Sequence, residues 1–303
     1  MVILLNTGSC QGKGVNKWNN IKNTFANAQT KIITLQETDF EKNICTAISN
    51  GQTQFVAAGG DGTVNLLLNK LFQYLSREQL KNIELGAIGI GSSNDFHKPV
   101  RNCIDQVPVC IDFDNAYLRD VGLINFKTEN GTASKYFIIN ASIGITAKAN
   151  DLFNNPDTIL RKLKETHTNS AILFAAIKTI LTYKNFLAQV IFNGKIIETS
   201  ITNLGIVKNP HFSGDFCYDT LWDYSSGKFD IHLAYNMNKF EVLNLMNALI
   251  HKNFSKLPNT KSWATESFTV KSDNEFIIEF DGETIKTCEA NFTVLKQAIK
   301  VCK

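Results

Sequence analysis

The strongest constraint on this chain lies in its amino-terminal third, where short apolar runs alternate with helical patterns and each run stops at a polar or glycine-rich turn. Val2 to Leu5 is such a run, closed by Asn6-Thr7-Gly8-Ser9. From Lys17 to Ala28, apolar residues recur at three- and four-residue spacing, which predicts a helix carrying Trp18, Ile21 and Phe25 on one face. Lys31 to Leu35 reads as a second strand, and Asp39 is placed to cap a helix running to Ile48. Gln54 to Ala58 is a third strand that breaks at Gly59-Gly60-Asp61-Gly62. A helix with Val64, Leu67, Leu68, Leu71 and Leu75 on its apolar face follows. Glu84 to Ile90 is a fourth strand, stopped by Gly91-Ser92-Ser93-Asn94-Asp95. Such alternation predicts a parallel sheet covered by helices. The carboxy ends of its strands should then share one edge, where ligands collect.

After about residue 110 the texture changes to short strand signals: 111–113, 117–126, 135–141, 188–192, 195–198, 200–207, 229–235 and 267–280. Asn193-Gly194 marks a hairpin, because both centres of its turn need left-handed backbone. An amphipathic helix from Thr158 to Thr182 and another from Phe240 to Lys252 interrupt the strands. This half is expected to be antiparallel, as a sandwich or open barrel.

Composition narrows the function. Lys+Arg 31 against Asp+Glu 28 gives a net charge of +3, too small to argue for nucleic acid. Seven cysteines with no CxxC, and five histidines without ligand spacing, speak against zinc and for reduced thiols in a cytoplasmic protein. The apolar stretch 171–181 is interrupted by Lys178 and falls short of the ~20 residues of a membrane span.

Two loops carry chemistry. Gly59-Gly60-Asp61-Gly62-Thr63-Val64-Asn65 joins a strand to a helix. Its glycines let the backbone approach an anion, and the helix terminus favours phosphate. Asp61 there would hold Mg²⁺, accept a proton, or simply cap a tight turn. The next strand ends in Gly91-Ser92-Ser93-Asn94-Asp95, which offers a hydroxyl, an amide and a second carboxylate. Neither loop has the Walker pattern. Far downstream, Glu279-Phe280-Asp281-Gly282-Glu283 reads as a strand entering an acidic turn, which alone is an ordinary hairpin.

These elements, in this order, resemble the bacterial diacylglycerol kinase and lipid kinase family, related to sphingosine kinases and more distantly to NAD kinases. The matching stretches are Gly59 to Asn65, Gly91 to Phe96 and Asp281-Gly282-Glu283. Weaker agreement is found at Asn6 to Ser9, at Tyr136 to Gly144 and at Leu173 to Gly194. The resemblance implies an α/β domain with a Rossmann-like parallel sheet over residues 1–115 and a β-sandwich lipid domain over 116–290. A carboxy-terminal strand, 291–303, would pack back on the first domain. It implies an ATP- and Mg²⁺-dependent transfer of phosphate to a lipid hydroxyl in the cleft between domains. Asn6, Thr7, Thr34, Gly59, Gly60, Gly62, Thr63, Asn65, Gly91, Ser92, Asn94 and Asp95 would line the nucleotide. Asp61 would serve the phosphates and Mg²⁺, and Asp281 or Glu283 would be the base.

The chain also departs from the family. Leu66 stands where a Glu usually follows the glycine loop, and Ser92 and Thr7 replace Thr and Pro. Ser225-Ser226-Gly227-Lys228-Phe229-Asp230 aligns with D-D-G-x-x-D, so both leading acids of a structural Mg²⁺ site are absent. An NAD kinase-like enzyme and a nucleotide-binding regulator without catalysis are the rival readings. Peripheral contact with the inner membrane surface, through the basic face of 158–182, and a homodimer stay open.

Overall fold

The computed structural model describes residues 1–26, 28–166 and 168–303, excluding the side chains of 164–166, 168–169 and 172–173. Of the helix expected over 158–182, residue 167 and those side chains lie outside this description. The chain forms two compact units: Met1–Val121 with Tyr224–Ser226 and Leu295–Lys303, and Gly122–Asp223 with Gly227–Val294. The division expected after 115 falls after 121, and the tail expected from 291 begins at Leu295. The return of Tyr224–Ser226 to the first unit leaves no sequence signal. It is held by the Asp120 amide on the Tyr224 carbonyl (2.9 Å), the Ser225 hydroxyl on the Leu118 carbonyl (2.7 Å) and the Arg119 guanidinium 3.8 Å above the Tyr224 ring.

In the first unit, β1 (Val2–Leu5), β2 (Lys31–Thr34), β3 (Gln54–Gly59) and β4 (Glu84–Gly89) form a parallel sheet in the order β2-β1-β3-β4. The free edge of β4 is shared end to end. Lys300 and Val301 run parallel to its start, while β6 (Val107–Cys110), itself paired with β5 (Cys103–Ile104), runs antiparallel to its end. Helices α1 (Gly14–Ile21), α2 (Phe40–Ser49), α3 (Asp61–Tyr74) and the single-turn α4 (Arg77–Leu80) connect the strands.

Alternating strand residues explain how the sheet is covered. Ile3, Leu5, Val56, Ala58 and Ile88 meet Trp18, Ile21 and Phe25, whose first and last rings stack at 5.8 Å. Leu4, Phe55 and Ala57 are fully buried on the other side, as are Leu68 and Leu71 of α3. The first helix starts and stops earlier than its periodicity suggests. A tighter 3-10 turn, Lys22–Phe25, carries Phe25 into the core.

The second unit contains β7 (Tyr117–Thr128), β8 (Gly131–Phe137), β9 (Asn140–Gly144), α5 (Ile145–Asn154), α6 (Thr158–Thr166), α7 (Thr168–Thr182), β10 (Phe186–Phe192) and β11 (Lys195–Val207). Then come the two-residue strands β12 (His211–Phe212) and β13 (Phe216–Cys217), followed by β14 (Phe229–Tyr235), α8 (Lys239–Ile250), β15 (Thr260–Thr265), β16 (Ser267–Phe280) and β17 (Glu283–Val301). β7 and β17 begin or end in the first unit. The strands are mostly antiparallel and follow one path, β15-β14-β11, then β10 and β9 end to end, then β16-β17-β7-β8. Phe137 of β8 stacks on Phe229 of β14 at 5.6 Å, although these strands lie near opposite ends of the path. Where a sandwich or open barrel was expected, one sheet folds over on itself around a shared core.

Two differences from the sequence reading have clear causes. The strand expected over 135–141 breaks after Phe137, because the amides of the following three residues bond to a carboxylate instead of a neighbouring strand. The single helix expected over 158–182 is two, α6 and α7. Leu160, Ala171 and Ala175 are buried against Leu152, Phe153, Leu163 and Phe174, and Lys178 pairs with Asp157. Much of that face is thus internal packing. Among the described residues no helix is long and apolar enough to cross a membrane.

Candidate functional site

Because β1 to β4 are parallel, Asn6, Thr34, Gly59 and Gly89–Gly91 fall at or just beyond the carboxy ends of neighbouring strands. Two glycines permit the packing at this edge. A Cβ on Gly91 would stand 2.4 Å from the Gly60 Cα, so the two loops touch backbone to backbone. A Cβ on Gly59 would stand 2.1 Å from the Thr63 hydroxyl oxygen, which lies over that residue. The amino end of the fourteen-residue α3 opens at the same place, and its partial positive charge suits an anion.

Polar side chains fix this edge. The Asn6 amide donates to Thr63 Oγ1 (3.0 Å), while its Oδ1 accepts from the Gly8 amide (3.0 Å) and Gln36 Nε2 (2.9 Å). Gln36 Oε1 in turn accepts from the Thr7 amide (3.1 Å) and hydroxyl (2.7 Å). Asn94, in left-handed backbone, donates to the Gly89 and Gly91 carbonyls and accepts from the Gly91 amide. Asp95 is buried and bonded by Ser93 Oγ (2.9 Å) and Lys98 Nζ (2.7 Å). Asn65 is also buried, and its Oδ1 accepts from Asn69 Nδ2 (3.0 Å). Ser92 is exposed, with its hydroxyl available, and Thr34 is half-buried beside Leu5.

Both carboxylate oxygens of Asp61 are engaged by backbone. Its Oδ2 accepts from the Asp95 amide (3.0 Å) and its Oδ1 from the Phe96 amide (2.9 Å). The carboxylate therefore ties the first glycine loop to the second. Among the described residues no group of three or more His, Cys, Asp or Glu side chains could hold a metal ion. His97, just after the second loop, is buried, and burial lowers its imidazole to about 4.

Sequence reasoning missed two residues of this edge. Gln36 lies two positions beyond the end of β2, where the edge rule would have pointed had the strand been closed at Thr34. Lys17 donates from α1 to the Gly91 carbonyl (3.2 Å) and brings a positive charge to the second loop. No local pattern announces it.

In the second unit, Asp281-Gly282 is the two-residue turn between β16 and β17, with Phe280 opposite Glu283 and both turn residues at positive φ (46° and 94°). The hairpin reading and the site reading thus coincide in one element. Asp281 is 2% exposed. Its Oδ2 accepts from the Ile138 amide (2.8 Å), and its Oδ1 from the amides of Ile139 (2.9 Å) and Asn140 (3.1 Å). Glu279 accepts from the Gly282 amide (2.9 Å) and the Ser142 hydroxyl (2.9 Å). Glu283 is exposed, and no described residue engages its carboxylate. Of the two acids expected to serve as base, one is a buried anchor and the other is free.

Residues 1–120 match the family model of the diacylglycerol kinase catalytic domain. Over 252 residues, 82% of this chain and 70% of the relative, the sequence is 25% identical to the diacylglycerol kinase of Staphylococcus haemolyticus (strain JCSC1435). A solved diacylglycerol kinase structure from Bacillus anthracis str. Sterne superposes with a TM-score of 0.64 at 15% identity, covering 99% of this chain and 95% of that one. A second solved chain from that organism gives 0.69 at 16% identity, covering 99% and 96%. At these identities the structural likeness speaks for the fold.

Proposed function

Taking residues 1–120 as a diacylglycerol kinase catalytic domain, we propose that the chain is a lipid kinase that moves the γ-phosphoryl group of ATP to a glycerolipid hydroxyl of the diacylglycerol class. The observation that carries this is the backbone contact of Gly60 and Gly91 at the sheet edge where α3 begins. That arrangement leaves no room for side chains between the loops, so that a phosphate chain there would meet backbone.

Phosphoryl transfer needs positioning and charge neutralisation more than covalent help. Exposed Ser92 and Lys17 give the edge a hydroxyl and a cation for phosphate oxygens. Asn6, Gln36, Asn94 and Asp61 hold the loops in place. Mg²⁺ would arrive with the triphosphate and offset its charge, and Asp61 acts by fixing Asp95 and Phe96. An alcohol loses its proton late in such a transfer, so an ordinary carboxylate suffices as acceptor. Glu283 fills that role, and Asp281 fixes the turn from which it projects.

A lipid acceptor also calls for an apolar surface facing bilayer. Helix α8 buries Val242, Leu245 and Leu249, yet leaves Phe240 84% exposed, with Leu243 and Ile250 also exposed. Exposed Lys239, Lys252 and Lys256 flank this face, and its one acid, Glu241, is bound in the capping box with Asn238. Apolar and basic residues together suit an anionic membrane surface.

The test is transfer of labelled phosphate from ATP with diacylglycerol, a sphingoid base and NAD as parallel acceptors. Label in the glycerolipid is expected. Label only in NAD, or ATP binding with no transfer to any acceptor, overturns the reading. Sedimentation with phosphatidylglycerol vesicles at low salt should be weakened about tenfold by Phe240→Asp; equal binding by the variant removes α8 as the contact.

A further inference from the structure

The segment from Ser225 to Asp230 is where the family resemblance implies a bound metal, and its composition does not fit one. Ser225 and Ser226 replace the leading acids, and only Asp230 remains of the aligned set. Among the described residues no metal-holding cluster forms there or elsewhere. A cation is nevertheless built in. Lys208 follows directly on β11 and is 2% exposed. Its Nζ donates to the carbonyl oxygens of Asp223 (3.1 Å) and Lys228 (2.9 Å). These two bonds account for two of the three ammonium protons. Asp230 pairs across β11 and β14 with Val207, the residue before Lys208; burial raises its carboxyl and the Lys208 charge opposes that rise.

Converging carbonyl oxygens beside a carboxylate are the surroundings of a hard cation. A buried ammonium persists only where it is paired and fully bonded. The backbone of Lys208 extends the arrangement. The amides of Lys208 and Asn209 both donate to the Ile139 carbonyl (3.1 and 2.8 Å). The Ile139 amide donates to Asp281 (2.9 Å). A continuous series of bonds thus runs from the 223–228 loop through Lys208 and Ile139 to the turn that carries Glu283.

We propose that the Lys208 ammonium is the permanent internal cation of this loop, so that the second unit binds no divalent ion there, and that it helps set the position of the Asp281 turn. The inference does not depend on the kinase reading, because its readout is stability. Thermal unfolding of the whole chain is measured after EDTA treatment and again with added Mg²⁺. Tm should move by less than about 1 °C in both. A fall of several degrees with EDTA, reversed by Mg²⁺, overturns the proposal whatever the transfer assay shows. Lys208→Met should lower Tm by about 10 °C, with no recovery on adding Mg²⁺. A variant that unfolds at the wild-type temperature, or one that Mg²⁺ restores, also overturns it. If Lys208→Met does not fold, the chelator measurement on the unaltered chain still decides.

Discussion

Asp61 and Asp281 are both held by consecutive backbone amides, two in the first unit and three in the second. Their settings differ. Asp61 opens a helix at a half-exposed sheet edge and joins two glycine loops, so what it leaves accessible is backbone. Asp281 is enclosed, and what its turn leaves accessible is a neighbouring side chain, Glu283. One unit thus brings two glycine loops together at a helix amino end. The other offers a free carboxylate suited to a proton. The comparison teaches that an acidic residue inside a recognisable motif can serve as scaffold for distant backbone.

The sharpest way to break this comparison is Asp281→Ala. It leaves three buried amides without an acceptor, and about 4–5 kcal/mol of unfolding free energy should be lost. Denaturant unfolding measures this, and a loss below about 1 kcal/mol would contradict the anchor role. Glu283→Gln should do the reverse. We expect kcat to fall by about 10²–10⁴-fold while stability changes by less than about 0.5 kcal/mol.

Acid titration probes both units together. Burial holds the imidazoles of His97 and His232 near 4, below the usual 6.5. Between these values the unfolded chain takes up protons that the folded chain refuses. Each histidine therefore favours the folded state above pH 6.5, and that contribution is lost as pH falls toward 4. The loss is about 3 kcal/mol per histidine. A Tm that stays flat from pH 7 to 4.5 would contradict it, and His97→Leu should flatten part of the slope. The smallest effect is assigned to Asp61→Asn. Its amide can accept from only one of the two N–H groups, so about 2 kcal/mol of stability should go. If Asp61 acts through the loops, KM for ATP should rise; a fall in kcat alone would point to direct contact with the reacting phosphate.

Much of this was legible in one dimension. Apolar periodicity and glycine stops located β1 to β4, and Asn193-Gly194 and Asp281-Gly282 announced their hairpins. Those are local preferences of a few residues, set by backbone sterics and by which side chains avoid water. Periodicity could not reveal that the strand over 135–141 breaks to feed three amides to Asp281, 141 to 143 residues away. Nor could it show Lys17 on Gly91, Gln36 beneath Thr7, or Lys208 within the loop carbonyls. Each of those pairs residues far apart in sequence that only the tertiary fold brings within hydrogen-bonding reach. The sequence by itself determined which stretches form strands, helices and glycine turns, and which residues are able to do chemistry. Tertiary structure alone decided which carboxylates are anchors and which remain available, because that depends on where distant amides come to lie.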